Sequence, residues 1–546
     1  MDASTAKRRL MILPGLALAL IVTCGATTSY AQKLDEMSLE RWAKLSEVQR
    51  YQMQIAEKYY REKNYKVAAA EYEKYLTLYE DSEGASYSQL MWSICQVELR
   101  KSNTAIKEGF KTVIDYWPES PDAVAAGYYI GDTYRGMGRI PEAKKALREV
   151  LSDYPDHETS VLAATSLIAI AQQEKDNKTL VDMWKRLTFD ATRNKTTERY
   201  CITASQQLAA HLFSVGDFAQ GVKALAASFP LQQDLQAQVA AIVTPAITTL
   251  SAADETKAQG KSLADAAVSW FNAERPTDLA TVPAQKTALA NWMHIALVYS
   301  AANLDDQVPP TYERAWKEFD NSDQVLLGLA NWYISRKRYD EARATFRRFQ
   351  DKAEGLYLAA GAYRTENQLD LAAQTYNQAI AADPDQALRF KAAIAASWRG
   401  AKEYEKAIAV YEELIADDTE HADSWRYQMA GAYQDWGKYK EAIAHYRQCT
   451  NFPENYKQMA WCNRRMKNPQ EAIILYNQVL AHEASAPWAL LQIGYTREEA
   501  DQKEQAIKTF QMVCKRFPTN QYASVAHAHL QDAYNISVTL GGSKDE

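Results

Sequence analysis

Beyond its first two dozen residues the 546-residue sequence has no apolar run that would cross a bilayer comfortably, so a multi-span membrane protein is excluded. It lacks an excess of positive charge: 62 Lys and Arg stand against 69 Asp and Glu, which gives no support to nucleic acid or an anionic membrane as partner. Glycine and proline are sparse, at 20 and 16, as expected of a chain with short loops. There is no Gly-rich phosphate loop. Gly131 to Gly138 holds three glycines but lacks the Lys-Ser/Thr pair, and no convincing strand precedes it. After Ala31 the cysteines are Cys95, Cys201, Cys449, Cys462 and Cys514, with no CxxC pair and no even framework, so they read as small buried thiols. Cys449 and Cys462 end one helical hairpin and enter the next, where a structural disulfide is the alternative. No HExxH occurs, and His527 and His529, two apart, stand on different faces of a helix. His445, Cys449 and Cys462 form a nominal ligand cluster that core packing explains as well; no metal and no cofactor is expected.

What the sequence has in quantity is tyrosine, 33 of them, set into a repeat. The stretch from Arg389 to Pro453 states it twice. Ile394, Ala395 and Trp398 form one apolar face, and after a break at Lys402 to Tyr404 a second face runs Ala407, Val410, Tyr411, Leu414. Met429, Ala430 and Tyr433, the break Trp436 to Tyr439, then Ala442, Tyr446 and Cys449 repeat the pattern. Apolar residues at i, i+3, i+4 and i+7 make an amphipathic helix, and two per period of roughly 34 residues make an array of helical hairpins.

The N-terminus has the form of a secretory signal: Lys7, Arg8 and Arg9, the apolar run Leu10 to Val22, then Ser29-Tyr30-Ala31 before Gln32. An uncleaved anchor is the alternative. Ile21-Val22-Thr23-Cys24 also resembles a bacterial lipoprotein box, although Thr23 departs from the usual small residue, so lipidation at Cys24 stays open. The expected organisation is 1–31 signal peptide, 32–190 a first array, 191–320 a divergent helical joint, 321–518 a second array, and 519–546 a capping helix and tail. In the joint, Pro245 is expected to interrupt a helix over Leu231 to Leu250, and Pro309-Pro310 to act as a stop. A separate folded domain is the other reading of 191–320.

A small residue three before a Tyr, a turn, an Ala, an aromatic four later and a closing Pro together resemble the tetratricopeptide repeat, in the units ending at Pro155, Pro384 and Pro518 and near Pro453. The strings Val113 to Ser120 and Cys514 to Ala523 further resemble repeat units of exported bacterial envelope proteins, of the outer-membrane assembly lipoprotein and Tol-Pal-associated type. The resemblance implies an all-α fold, a right-handed α-solenoid of stacked hairpins whose first helices line a concave surface that binds protein or peptide partners. The Lys and Asn clamp by which some members hold acidic C-terminal tails is not reproduced, because Leu327 stands one turn before Asn331.

Residues on the first helices that escape the packing pattern are the candidates for partner contact. They are Tyr128 and Arg135 early in the chain, then Tyr357 and Arg364, Arg399, Tyr427 and Gln434, Trp461 with Arg464 and Arg465, and Trp488 with Tyr495. Aromatic residues and Arg anchor interfaces because they offer large area and forked hydrogen bonds at low entropy cost. Replacing Trp461, Arg464 and Arg465 together is expected to weaken capture while leaving folding nearly intact. The favoured function is thus a non-catalytic scaffold in the cell envelope, most plainly a bacterial periplasm. A glycan-binding envelope protein is the alternative, since aromatic grooves stack sugars. An envelope enzyme on an α-superhelix, resembling lytic transglycosylases, would need a protected acid, and Glu255 and Glu274 in 191–320 have no visible acid-site context.

Overall fold

A computed structural model describes residues 34–538, and no strand occurs among them. The segments read as signal peptide, 1–31, and as tail, 541–546, lie outside the described residues. The chain divides into two compact units, Met1–Leu304 and Asp305–Glu546, so the division falls within the stretch 191–320.

In the second unit the hairpins follow one another without interruption. They pair Asp323–Ser335 with Tyr339–Phe346, Lys352–Thr365 with Leu369–Ala382, Ala387–Gly400 with Tyr404–Asp417, Ala422–Asp435 with Tyr439–Tyr446, Glu454–Arg465 with Pro469–Val479, and Ala486–Glu499 with Lys503–Arg516. Within each pair the turn places one residue in the left-handed region, and only one of these is glycine: Lys337, Asn367, Lys402, Gly437, Lys467 and Asp501 have φ between 57° and 81°. Two helices so tightly joined cross where their side chains are small. Ala360 and Ala372, Ala395 and Ala407, Ala430 and Ala442, and Ala460 and Ala472 are fully buried. Where the helices diverge the gap is filled by one large ring per hairpin, namely Phe346, Tyr376, Tyr411, Tyr446, Tyr476 and Phe510. Alternation of small and large along the seam is ridge-into-groove packing, and each buried ring contributes roughly 2–3 kcal/mol of apolar burial. The last helix, Gln521–Tyr534, packs Ala523, Ala526 and Leu530 onto the final hairpin, where its His529 ring also lies against Tyr495 and Phe510 and meets Glu498.

The first unit begins with the short helix Leu39–Lys44, capped by Ser38. Its Arg41 reaches across two later hairpins, donating to both Asp122 carboxylate oxygens (3.1 and 2.7 Å) and to Ser86 Oγ (3.0 Å). Further hairpins pair Glu47–Arg61 with Tyr65–Leu78, Pro121–Gly136 with Ile140–Asp153, and Glu198–Ser214 with Phe218–Ala226. The copy beginning at Ala85–Glu98 is looser because its second helix passes through a π-helical turn at Ala105–Phe110.

Pro245 does not interrupt its helix, which runs unbroken over Gln232–Ala252. Pro245 and Ala241, whose carbonyl loses its partner, both lie on the exposed face, while Val239, Val243 and Ile247 hold the inner face in the core. By length and composition alone, and contrary to the expectation from the sequence, this helix is long and apolar enough to cross a membrane, but its inner face is buried within the protein. Pro309 and Pro310 open a helix, Val308–Glu318, where proline's missing N–H costs nothing. The five described cysteines are free and buried, Cys449 and Cys462 included. The Cys449 thiol faces the His445 carbonyl (3.4 Å) and the Cys462 thiol faces Gln434 Oε1 (3.5 Å), and burial pushes the two up to about 11 and about 12.

Candidate partner-binding site

One position of the repeat organises the first-helix wall of the second unit. Twelve residues before the buried Tyr of each second helix stand Arg364, Arg399, Gln434 and Arg464, in register with Tyr376, Tyr411, Tyr446 and Tyr476. Arg399 donates through Nε to Asp435 (2.7 Å) and through Nη1 to Gln428 Oε1 (3.2 Å), both on the next first helix. Arg464 does the same two steps further along, to Glu499 (3.0 and 2.5 Å) and Gln492 Oε1 (2.7 Å). Gly431 makes room for the first of these bridges, since a Cβ there would stand 2.8 Å from Arg399 Nη2. Burial works against the charge on both guanidiniums, but their carboxylate partners prevail and hold them protonated.

Between these two rungs the ladder is broken. Gln434 replaces the arginine and accepts from Tyr446 Oη (3.0 Å). The residue facing it from the next first helix, where Asp435 and Glu499 stand in the intact rungs, is Arg465. Arg465 is exposed and has no carboxylate partner among the described residues; its guanidinium lies 5.7 Å from the Trp461 ring. Trp461 itself is 38% exposed, a large value for an indole in the middle of a helix. Two hollows meet at it. One, of about 600 Å³, is lined by Trp461, Arg464, Arg465, Lys467, Gln492 and Glu499 among others. The second, of about 330 Å³, shares Trp461 and Gln492 and adds Trp488, Tyr522, Gln458 and Lys457. Lys457 is neutralised there by Glu454 at 2.7 Å.

The other sequence candidates are half-buried and already partnered, apart from Arg364, which is exposed. Tyr357 lies under Arg389 (4.1 Å) and beside Phe390. Tyr427 packs edge-on against Tyr446, Trp488 against Tyr476, and Tyr495 against Phe510 and His529. Tyr128 reaches Ser166 (3.5 Å) on a neighbouring helix, and Arg135 pairs with Asp132 (2.5 Å) beside a hollow of about 310 Å³ in the first unit. The exposed candidates are Arg364, Trp461 and Arg465, of which the last two stand together on one helix. Arg464 is a rung between helices, so replacing it alongside them would also loosen the stack.

Sequence reasoning passed over Gln428, Gln458, Gln492 and Lys467. The three glutamines occupy one equivalent place on successive first helices, and that regularity was the available signal. His445, Cys449 and Cys462 make no joint site: among the described residues no group of His, Cys, Asp and Glu is arranged to hold a metal ion. Glu255 is exposed, and Glu274 accepts a hydrogen bond from Gln232.

Models of the tetratricopeptide repeat match residues 125–157, 324–353, 353–386, 426–456 and 488–520. The chain carries tetratricopeptide repeats. None of those matches covers 387–425 or 457–487, although both hairpins keep the buried Ala pair and the buried Tyr of the seam. The search of curated proteins finds no match. Among solved structures, yeast Tom70 is similar at 13% identity over 93% of this chain and 96% of that one, with a TM-score of 0.26. Pseudomonas aeruginosa PilF is similar at 17% identity over 38% of this chain and 96% of that one, with a TM-score of 0.25.

Proposed function

We propose that the protein is an exported, non-catalytic adaptor of the cell envelope whose stacked tetratricopeptide repeats hold a protein or peptide partner along a concave first-helix face. The exposed indole of Trp461, standing between two hollows on a wall whose other aromatic candidates are packed, is the observation that carries this reading. An exposed aromatic beside an unpaired Arg is the composition of an interface hot spot. Export rests on the signal-like residues 1–31. A glycan ligand is the second reading, favoured by two Trp rings and two amide side chains around the smaller hollow.

Crosslinking in intact cells, followed by mass spectrometry, tests both. The expected result is a stable protein partner whose recovery falls about tenfold or more on replacing Trp461 by Ala, with the melting curve unchanged. Recovery of glycan fragments alone, or capture indifferent to Trp461, would overturn the adaptor.

A further inference from the structure

The break in the ladder defines what the groove lacks. Wherever another cation of this wall is bridged to the next helix, a carboxylate completes it: Asp435 for Arg399, Glu499 for Arg464. At the intervening step the facing residue is Gln434, which offers Arg465 no charge. Lys467, in the turn that follows, is exposed and likewise has no carboxylate partner among the described residues. The larger hollow thus sets three cations against the single carboxylate of Glu499, which Arg464 already occupies, in a chain of net charge −7. The one amide that lines it, Gln492, adds to the imbalance. Arg464 pins Gln492 through Oε1, leaving that side chain's N–H groups as its unused polar atoms. Such a wall supplies donors and positive charge and wants acceptors and negative charge. The smaller hollow is different in kind: its ion pair is closed internally, and Trp461, Trp488 and Tyr522 give it an aromatic lining.

We propose that this groove recognises an acidic segment of a partner polypeptide. A side-chain carboxylate is held by Arg465 and Lys467, and a neighbouring apolar or aromatic side chain lies on Trp461 toward Trp488 and Tyr522. The inference rests on the adaptor reading and names the chemistry of its partner. A carboxylate is the occupant because it is the group this chain itself places opposite the wall's other cations. Side-chain carboxylates within a segment also allow the peptide to continue in both directions along successive first helices.

The test uses the intact chain and an array of short peptides, acetylated and amidated at their ends, in which Glu or Asp beside Phe, Trp or Leu is compared with Gln or Asn in the same places. Acidic peptides should bind about tenfold or more tightly than their neutral counterparts, and added salt should erase most of the difference. Replacing Arg465 and Lys467 together by Gln should abolish the preference. Gln434→Glu is the sharper variant, because it supplies Arg465 with an internal carboxylate. It should weaken acidic peptides by a similar factor while the melting temperature holds or rises, which separates loss of the subsite from loss of the fold. Equal binding of neutral peptides, preference for basic ones, absence of binding by acidic peptides, or a preference requiring a free C-terminus would overturn the proposal. Each of these would leave the adaptor standing if partner capture in cells still depends on Trp461.

Discussion

Arg41 carries more of the first unit than its place near the start of the chain suggests. Its side chain is 12% exposed and that of Asp122 is 7% exposed, so removing the guanidinium leaves a buried carboxylate without its counter-charge. Arg41→Ala should therefore lower the unfolding free energy of this unit by about 3–5 kcal/mol, measured by urea denaturation, whereas truncating an exposed pair such as Arg139–Glu142 should cost well under that. His445 makes a second prediction at this scale. Its ring is stacked on Tyr433, its Nδ1 has no partner, and burial, with Arg426, holds its pKa below the ordinary value despite Glu412. The folded state thus favours the neutral ring while the unfolded chain takes up a proton near pH ~6.5. The stability it contributes is complete above that pH and falls as pH drops through it. His445→Phe, which keeps the stack, should flatten the decline in stability measured between about pH 7.5 and about pH 5.

At the scale of the helix and its turn, the repeat was legible wherever packing alone decides the residue. The Ala pairs and the buried Tyr of each hairpin follow from two helices crossing closely and then diverging, and their spacing survives in the sequence. Side chains outside the seam are another matter. Nothing in the apolar pattern says that Arg399 and Arg464 reach the next helix while Arg465 does not, because that depends on which residues lie about one repeat away on a neighbouring helix. Arg464 and Arg465 are adjacent in the chain and look alike; Glu499 against Gln434 makes one a rung and the other a free cation. Pro245 escaped in the same way, since its cost depends on whether the orphaned carbonyl faces water. The turns hold a further reserve. Lys402 adopts φ 66°, a conformation costly to any residue with a Cβ. Lys402→Gly should raise stability by about 0.5–1 kcal/mol in the same denaturation assay, the relief of strain exceeding glycine's greater unfolded-state entropy.

Over the whole molecule, stacking makes stability a sum of hairpins and of the seams between neighbours, so damage should spread only as far as the next seam. Tyr411 tests this. It fills the gap of its own hairpin and lies beside Arg399, which bridges to Gln428 and Asp435 of the following first helix. Tyr411→Ala should cost about 3–5 kcal/mol locally through the cavity it leaves, and it should also free the rung that ties Ala387–Gly400 to Ala422–Asp435. Hydrogen exchange should then accelerate in those two helices and in Tyr404–Asp417. The hairpin Ala486–Glu499 with Lys503–Arg516, held by its own Arg464 bridge, should keep its protection. Equal acceleration through every helix of 305–546 would mean that the unit opens as a single cooperative block and that the rungs distribute strain beyond their nearest neighbours. Acceleration confined to those helices would show that each seam opens on its own.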